Sequence, residues 1–146
     1  MKKLFLIATL LACSTSWAQD SMTPLSEYLE QQQNHFDDPN VLLYITTRCS
    51  AIYFVMGDLS GDNSELMESA KNASMLYLTK ATLTRKMITN DSDQQNLQNI
   101  METIKAVADA YIDVINPNYV KTGMYFTDWM LDDLSNCSFL SSTINK

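Results

Sequence analysis

A single histidine, His35, occurs among the 146 residues. Any serine–histidine or cysteine–histidine device would have to use it, and no nucleophile motif accompanies it. Cysteine occurs three times and never as CxxC, which excludes a thioredoxin-like redox pair. Three glycines and three prolines are too few for a loop-rich sandwich or for the glycine turn of a dinucleotide fold. Basic side chains are scarce, ten against seventeen acidic, for a net charge of -7. If Lys2 and Lys3 leave with a leader, eight basic residues remain against seventeen acidic, a net of -9. Such a surface repels nucleic-acid backbones and anionic lipid, and it suits solubility or a basic partner. Beyond the leader no apolar run is clean enough to span a bilayer. The richest, Val41 to Leu59, contains Arg48 and Asp58 and is polar at Thr46, Thr47 and Ser50. Period-two alternation typical of strands is absent.

What the chain does have is apolar spacing of three and four. In the Val41–Leu59 run, Leu42, Ile45, Cys49, Ile52, Met56 and Leu59 share one helical face, widened by Tyr44, Ala51 and Val55. Asp38-Pro39 supplies the start, and Gly57 is placed to leave the helix at a positive φ. This is expected to be the most buried helix. Before it, Thr23-Pro24 reads as a cap and first turn for a short helix to about Asn34, with Leu25, Tyr28 and Leu29 inward. After it, Asp62 and Glu65 suggest a capping box for a helix over 64–88 lined by Leu66, Ala70, Ala73, Tyr77, Ala81, Thr84 and Ile88, with Met67, Leu78 and Met87 beside them. Ser92 and Gln95 suggest a second box. The helix behind it carries Leu97, Ile100, Met101, Ile104, Val107, Ala108, Tyr111 and Ile115, and Asn116-Pro117-Asn118 is expected to stop it. Gly123 divides the last segment, whose final helix buries Phe126, Met130, Leu134 and Cys137, with fraying from Ser141 onward. Nine methionines suit adaptable packing between such helices. The fold class is therefore all-α: a single-domain bundle of four main helices plus a short N-terminal one, spanning residues 19–146.

The first residues look like an export signal. Met1-Lys2-Lys3 is basic, Leu4 to Ala12 is apolar and short, and Ser16-Trp17-Ala18 offers small residues for cleavage after Ala18. Leu10-Leu11-Ala12-Cys13 also resembles the lipobox of bacterial lipoproteins. That resemblance implies cleavage before Cys13, its acylation, and a membrane association through lipid alone. Either route places residues from 19 onward in the periplasm or outer envelope of a Gram-negative bacterium.

Export leaves Cys49 and Cys137 as the two thiols in an oxidising compartment, and each sits on an inward stripe. They are expected to form a disulfide, against the alternative of two buried free thiols. Arg48, beside Cys49, lies among apolar neighbours. It requires a carboxylate, for which Asp128, Asp132 and Asp133 qualify, or its head reaches water at the stripe's edge. Asp132-Asp133 itself reads as a surface pair. Tyr44 and Arg48 form one candidate partner surface. Tyr119, Tyr125, Phe126 and Trp129 form another, or else plug the open end of the bundle. His35 with Asp37 and Asp38 fits a capping turn better than a metal site. The oxygen-rich 58–65 stretch lacks EF-hand spacing. No catalytic constellation, cofactor or metal is expected.

The export signal, the cysteine-bearing Arg48–Gly57 stretch with its tyrosine and the late Cys137 resemble small secreted helical proteins, including some immunity proteins of bacterial toxin systems. The resemblance implies a basic toxin enzyme as partner and assigns no individual residue. The residues themselves indicate a non-enzymatic exported protein that binds another protein, with a carrier of small apolar ligands as the alternative.

Overall fold

The computed structural model describes residues 22–32 and 36–144. The leader with Cys13, and His35, lie outside these residues. Among the described residues the regular elements are five helices and no strand: α1 Leu25–Gln31, α2 Pro39–Leu59, α3 Ser64–Ile88, α4 Asp93–Thr122 and α5 Asp128–Ile144. None of them is long and apolar enough to cross a membrane. The expected all-α bundle is the fold, and Cys49 and Cys137 are bonded across it with their Cα atoms 5.5 Å apart.

α2 is the central helix because it has neighbours on nearly every side. It packs along α3 and α4 and touches α5, while α1 lies on α5. Its burial extends past the apolar stripe to Thr46, Thr47, Arg48 and Ser50. Thr46 turns its hydroxyl back onto the Leu42 carbonyl at 2.8 Å, a local bond that lets a polar residue sit inside. Ser50 and Ser74 each donate to the other's carbonyl at 2.9 Å, which joins α2 to α3 through two short side chains. Tyr77 on α3 stacks on Tyr53 and donates its hydroxyl to the Cys137 carbonyl on α5. Leu42, Met56 and Leu59 are only half-buried, as the buried side of α2 is centred on Ile45, Cys49, Ile52 and Val55.

Several local expectations are corrected. Gly57 stays inside α2, facing Ala70, and the positive φ falls on Gly61 at +56°. Asn63, rather than Asp62, caps α3, accepting from the Leu66 amide at 3.0 Å. Asp38 and the Ser92–Gln95 box cap α2 and α4 as expected. Pro117 does not stop α4, which runs on to Thr122 and ends at Gly123, φ +75°. Proline frees the carbonyl four residues earlier, on Asp113. Both residues are on the exposed side, where water can satisfy that group. At the two ends of α3, Leu66 in the first turn and Met87 and Ile88 in the last project to solvent. α5 continues past Ser141 to Ile144.

α1 has seven residues, too few to be stable alone. Its N-cap is Pro24, not Thr23, and no local side chain caps it. The cap comes from α5: the Leu25 amide donates to Asp133 Oδ1 at 2.7 Å.

Candidate functional site

Arg48 and Asp133 form the most buried charged pair, 1% and 0% exposed, with Nη2 2.6 Å from Oδ2. Of the three acids within reach in sequence, Asp133 is the partner. The reading of Asp132-Asp133 as a surface pair is corrected, since Asp133 points inward while Asp132 bonds Asn136. Tyr111 of α4 donates to the same Oδ2 at 2.6 Å and lies 3.1 Å from Arg48 Nε. Arg48 Nη1 donates to the Thr23 carbonyl at 2.5 Å and to the Tyr44 hydroxyl at 2.8 Å. The guanidinium carbon is 5.9 Å from the ring centroids of Tyr44, Tyr111 and Trp129. One cluster thus ties α1, α2, α4 and α5 together.

Burial alone would lower the Arg48 pKa. Tyr111, Asp133 and Tyr44 outweigh it, and the net shift is upward. Burial also pushes the Tyr111 phenol up, with Asp133 adding to the shift and Arg48 opposing it. Burial raises Tyr77 in the same way, helped by Tyr53. A phenol whose pKa is raised on folding stabilises the fold fully below its unfolded value of about 10, and that contribution is lost as pH climbs towards the folded value. Stability is therefore expected to decline from about pH 10 upward, and Tyr111→Phe or Tyr77→Phe should flatten the decline. Denaturant melts across the alkaline range check this. An alkaline slope unchanged in both variants would contradict it.

With every nitrogen of Arg48 occupied inside the chain, only Tyr44 of that pair reaches the surface, its ring tilted 40° against Tyr28 at 4.2 Å. The later aromatic group divides. Tyr119 and Tyr125 stack face to face at 4.4 Å, both exposed, beside the exposed Val120 and Met124. Phe126 and Trp129 pack inward against the core, Trp129 stacking on Tyr111 at 5.8 Å. Among the described residues no group of histidine, cysteine and acidic side chains is placed to hold a metal ion.

A concavity lies elsewhere, between α2, α3 and α4, and holds about 840 Å³. Its walls carry Phe54 from α2, Met75 and Leu78 from α3, and Leu97, Met101, Ile104 and Ile112 from α4. Four of these are large and substantially exposed: Phe54 49%, Met75 59%, Leu97 41% and Met101 54%. The floor is narrow-bodied, with Ser50, Ser74 and Ala108, and both serine hydroxyls are engaged with carbonyls. Charge is confined to the edge, at Asp58, Glu102, Lys105 and Asp109.

Comparison with family models, with curated proteins and with solved structures finds no match.

The groove was partly visible in the sequence. Leu97 and Met101 belong to the apolar stripe of α4, which reads as wholly inward. In the structure that stripe is wider than the core needs. Ile100, Ala108, Tyr111 and Ile115 are covered, while Leu97 and Met101 are left on the open side. Phe54 carries no such signal, because it lies off the α2 stripe.

Proposed function

We propose that this is an exported, non-enzymatic binding protein that engages another protein through the groove between α2, α3 and α4. The observation that carries the reading is the row Phe54, Met75, Leu97 and Met101, large apolar side chains held open to solvent around one concavity. Rows of this kind, rimmed by polar groups, mark interaction sites. The interior offers no unengaged hydroxyl and no charged group with which to do chemistry, which supports binding over catalysis. The leader supports a periplasmic or outer-envelope setting, with Cys13 as the lipid attachment point if the lipobox is used. The net charge supports a basic partner, of which the toxin enzyme of an immunity pair is one instance. A small apolar ligand is the second reading. It is favoured by a volume of about 840 Å³, within the range of small-molecule pockets.

A photoreactive residue in place of Met101, in the cell that makes the protein, tests the site. Protein adducts are expected from Met101 and not from the same probe at Ser135, an exposed position on α5. Adducts that extract into organic solvent as small molecules would transfer the groove to the carrier reading. No adduct at Met101 would remove the groove from the function.

A further inference from the structure

We infer that the groove's occupant is an amphipathic helix with basic side chains flanking its apolar stripe. This rests on the groove being a protein-binding site.

The lining follows α4 from Gln94 to Ile112. Those eighteen residue steps correspond to about 27 Å of helix axis at 1.5 Å per residue. A groove of that length takes about five turns of a helix, laid with its apolar stripe, roughly 100° wide, against the lining. Leu97, Met101, Ile104 and Ala108 step by four, three and four along the α4 wall of the groove, the first two exposed and the last two buried at its base. That is the spacing on which a neighbouring helix packs knobs into holes, with Ala108 and the two floor serines leaving the room.

Charge decides the flanks. The rim carries three carboxylates, Asp58, Glu102 and Asp109, against one ammonium, Lys105, a net of -2. Lys105 is committed to Asp109 at 2.6 Å, which leaves Asp58 and Glu102 facing whatever enters. An occupant with lysine or arginine beside its stripe meets opposite charge there, and one with carboxylates meets like charge. A second copy of this chain is disfavoured by the same argument, because both partners are acidic.

The test uses the purified protein and three fluorescent 18-residue peptides: a leucine-striped helix with lysines on its polar face, the same helix with glutamates in their place, and a scramble of the first that destroys the stripe. Anisotropy titration is expected to show the basic striped peptide binding at least about tenfold more tightly than either control. Met101→Glu, at an exposed position, should weaken it about tenfold or more, while Met101→Leu retains binding and matching melting curves show both variants folded. Asp58→Asn with Glu102→Gln should cost roughly three- to tenfold, and added salt should reduce that difference. Equal binding of the basic and acidic peptides, or binding indifferent to Met101→Glu, overturns the inference. So does self-association of the protein that Met101→Glu abolishes, which would assign the groove to a second copy. If Met101 crosslinks protein in the cell while the peptides show no charge preference, the groove remains a protein site and only the basic helix is refuted.

Discussion

Asp133→Ala is expected to destabilise the protein by about 3–5 kcal/mol, the cost of leaving a buried charge without its partner. Arg48 is 1% exposed, so its guanidinium stays desolvated when its carboxylate is removed. The same substitution removes the acceptor of the Tyr111 hydroxyl and of the Leu25 amide. The second loss is specific, because Pro24 supplies no side-chain cap to α1 and Asp133 accepts from its first amide. Hydrogen exchange at Leu25 should therefore accelerate more than the global loss of stability explains. Asp133→Asn keeps an acceptor for Leu25 but not the charge, so it should spare α1 while still costing the pair. Replacing both partners, Arg48→Met with Asp133→Leu, should recover much of the loss, since apolar groups of similar volume often equal a buried ion pair. Urea denaturation of the four proteins checks this. A loss under about 1 kcal/mol for Asp133→Ala would place the pair among solvated surface bridges and contradict its burial.

Removal of the Cys49–Cys137 bond is expected to cost about 4–5 kcal/mol, on the chain-entropy estimate for a bridge between residues 88 apart. The bond closes a loop from the middle of α2 to the middle of α5 and so restricts most of the unfolded chain. Cys49→Ala with Cys137→Ala should lower the denaturation midpoint by the same amount as reduction does. Thiol labelling under denaturing conditions should find these two cysteines unreactive until a reductant is added. A double variant as stable as the parent would show that the packing of Met130 and Leu140 and the polar bonds of Asp133 hold α5 without the disulfide. The bond and the ion pair are neighbours, Cys49 following Arg48 and Cys137 lying one turn beyond Asp133. Both join α2 to α5, so their losses should not add. With the bond intact, Asp133→Ala leaves α5 tethered; without it, the same change frees the helix.

The residues by themselves determined the helices, the caps at Asp38 and Ser92 and the pairing of the two cysteines. Each of these depends on groups a few residues apart, or on counting. A three–four apolar stripe specifies a helix wherever it is packed, a carboxylate before proline or a serine three residues before glutamine closes a helix start locally, and two cysteines on inward stripes have one intramolecular bond to make between them. Local signals misplaced two features: Asn63 rather than Asp62 caps α3, and Gly61 rather than Gly57 takes the positive φ between α2 and α3. The tertiary structure decided both by where α2 and α3 meet. It alone decided which of three aspartates pairs with Arg48, because residues 128, 132 and 133 share a helix and only the crossing of α5 over α2 turns one of them inward. It alone let α4 continue through Pro117, as the freed carbonyl costs little on a solvent-facing side and much on a buried one. It alone made the groove, because Phe54, Met75, Leu97 and Met101 come from three helices and form a concavity only once the gap between those helices is set by the short side chains of Ser50, Ser74 and Ala108 beneath them.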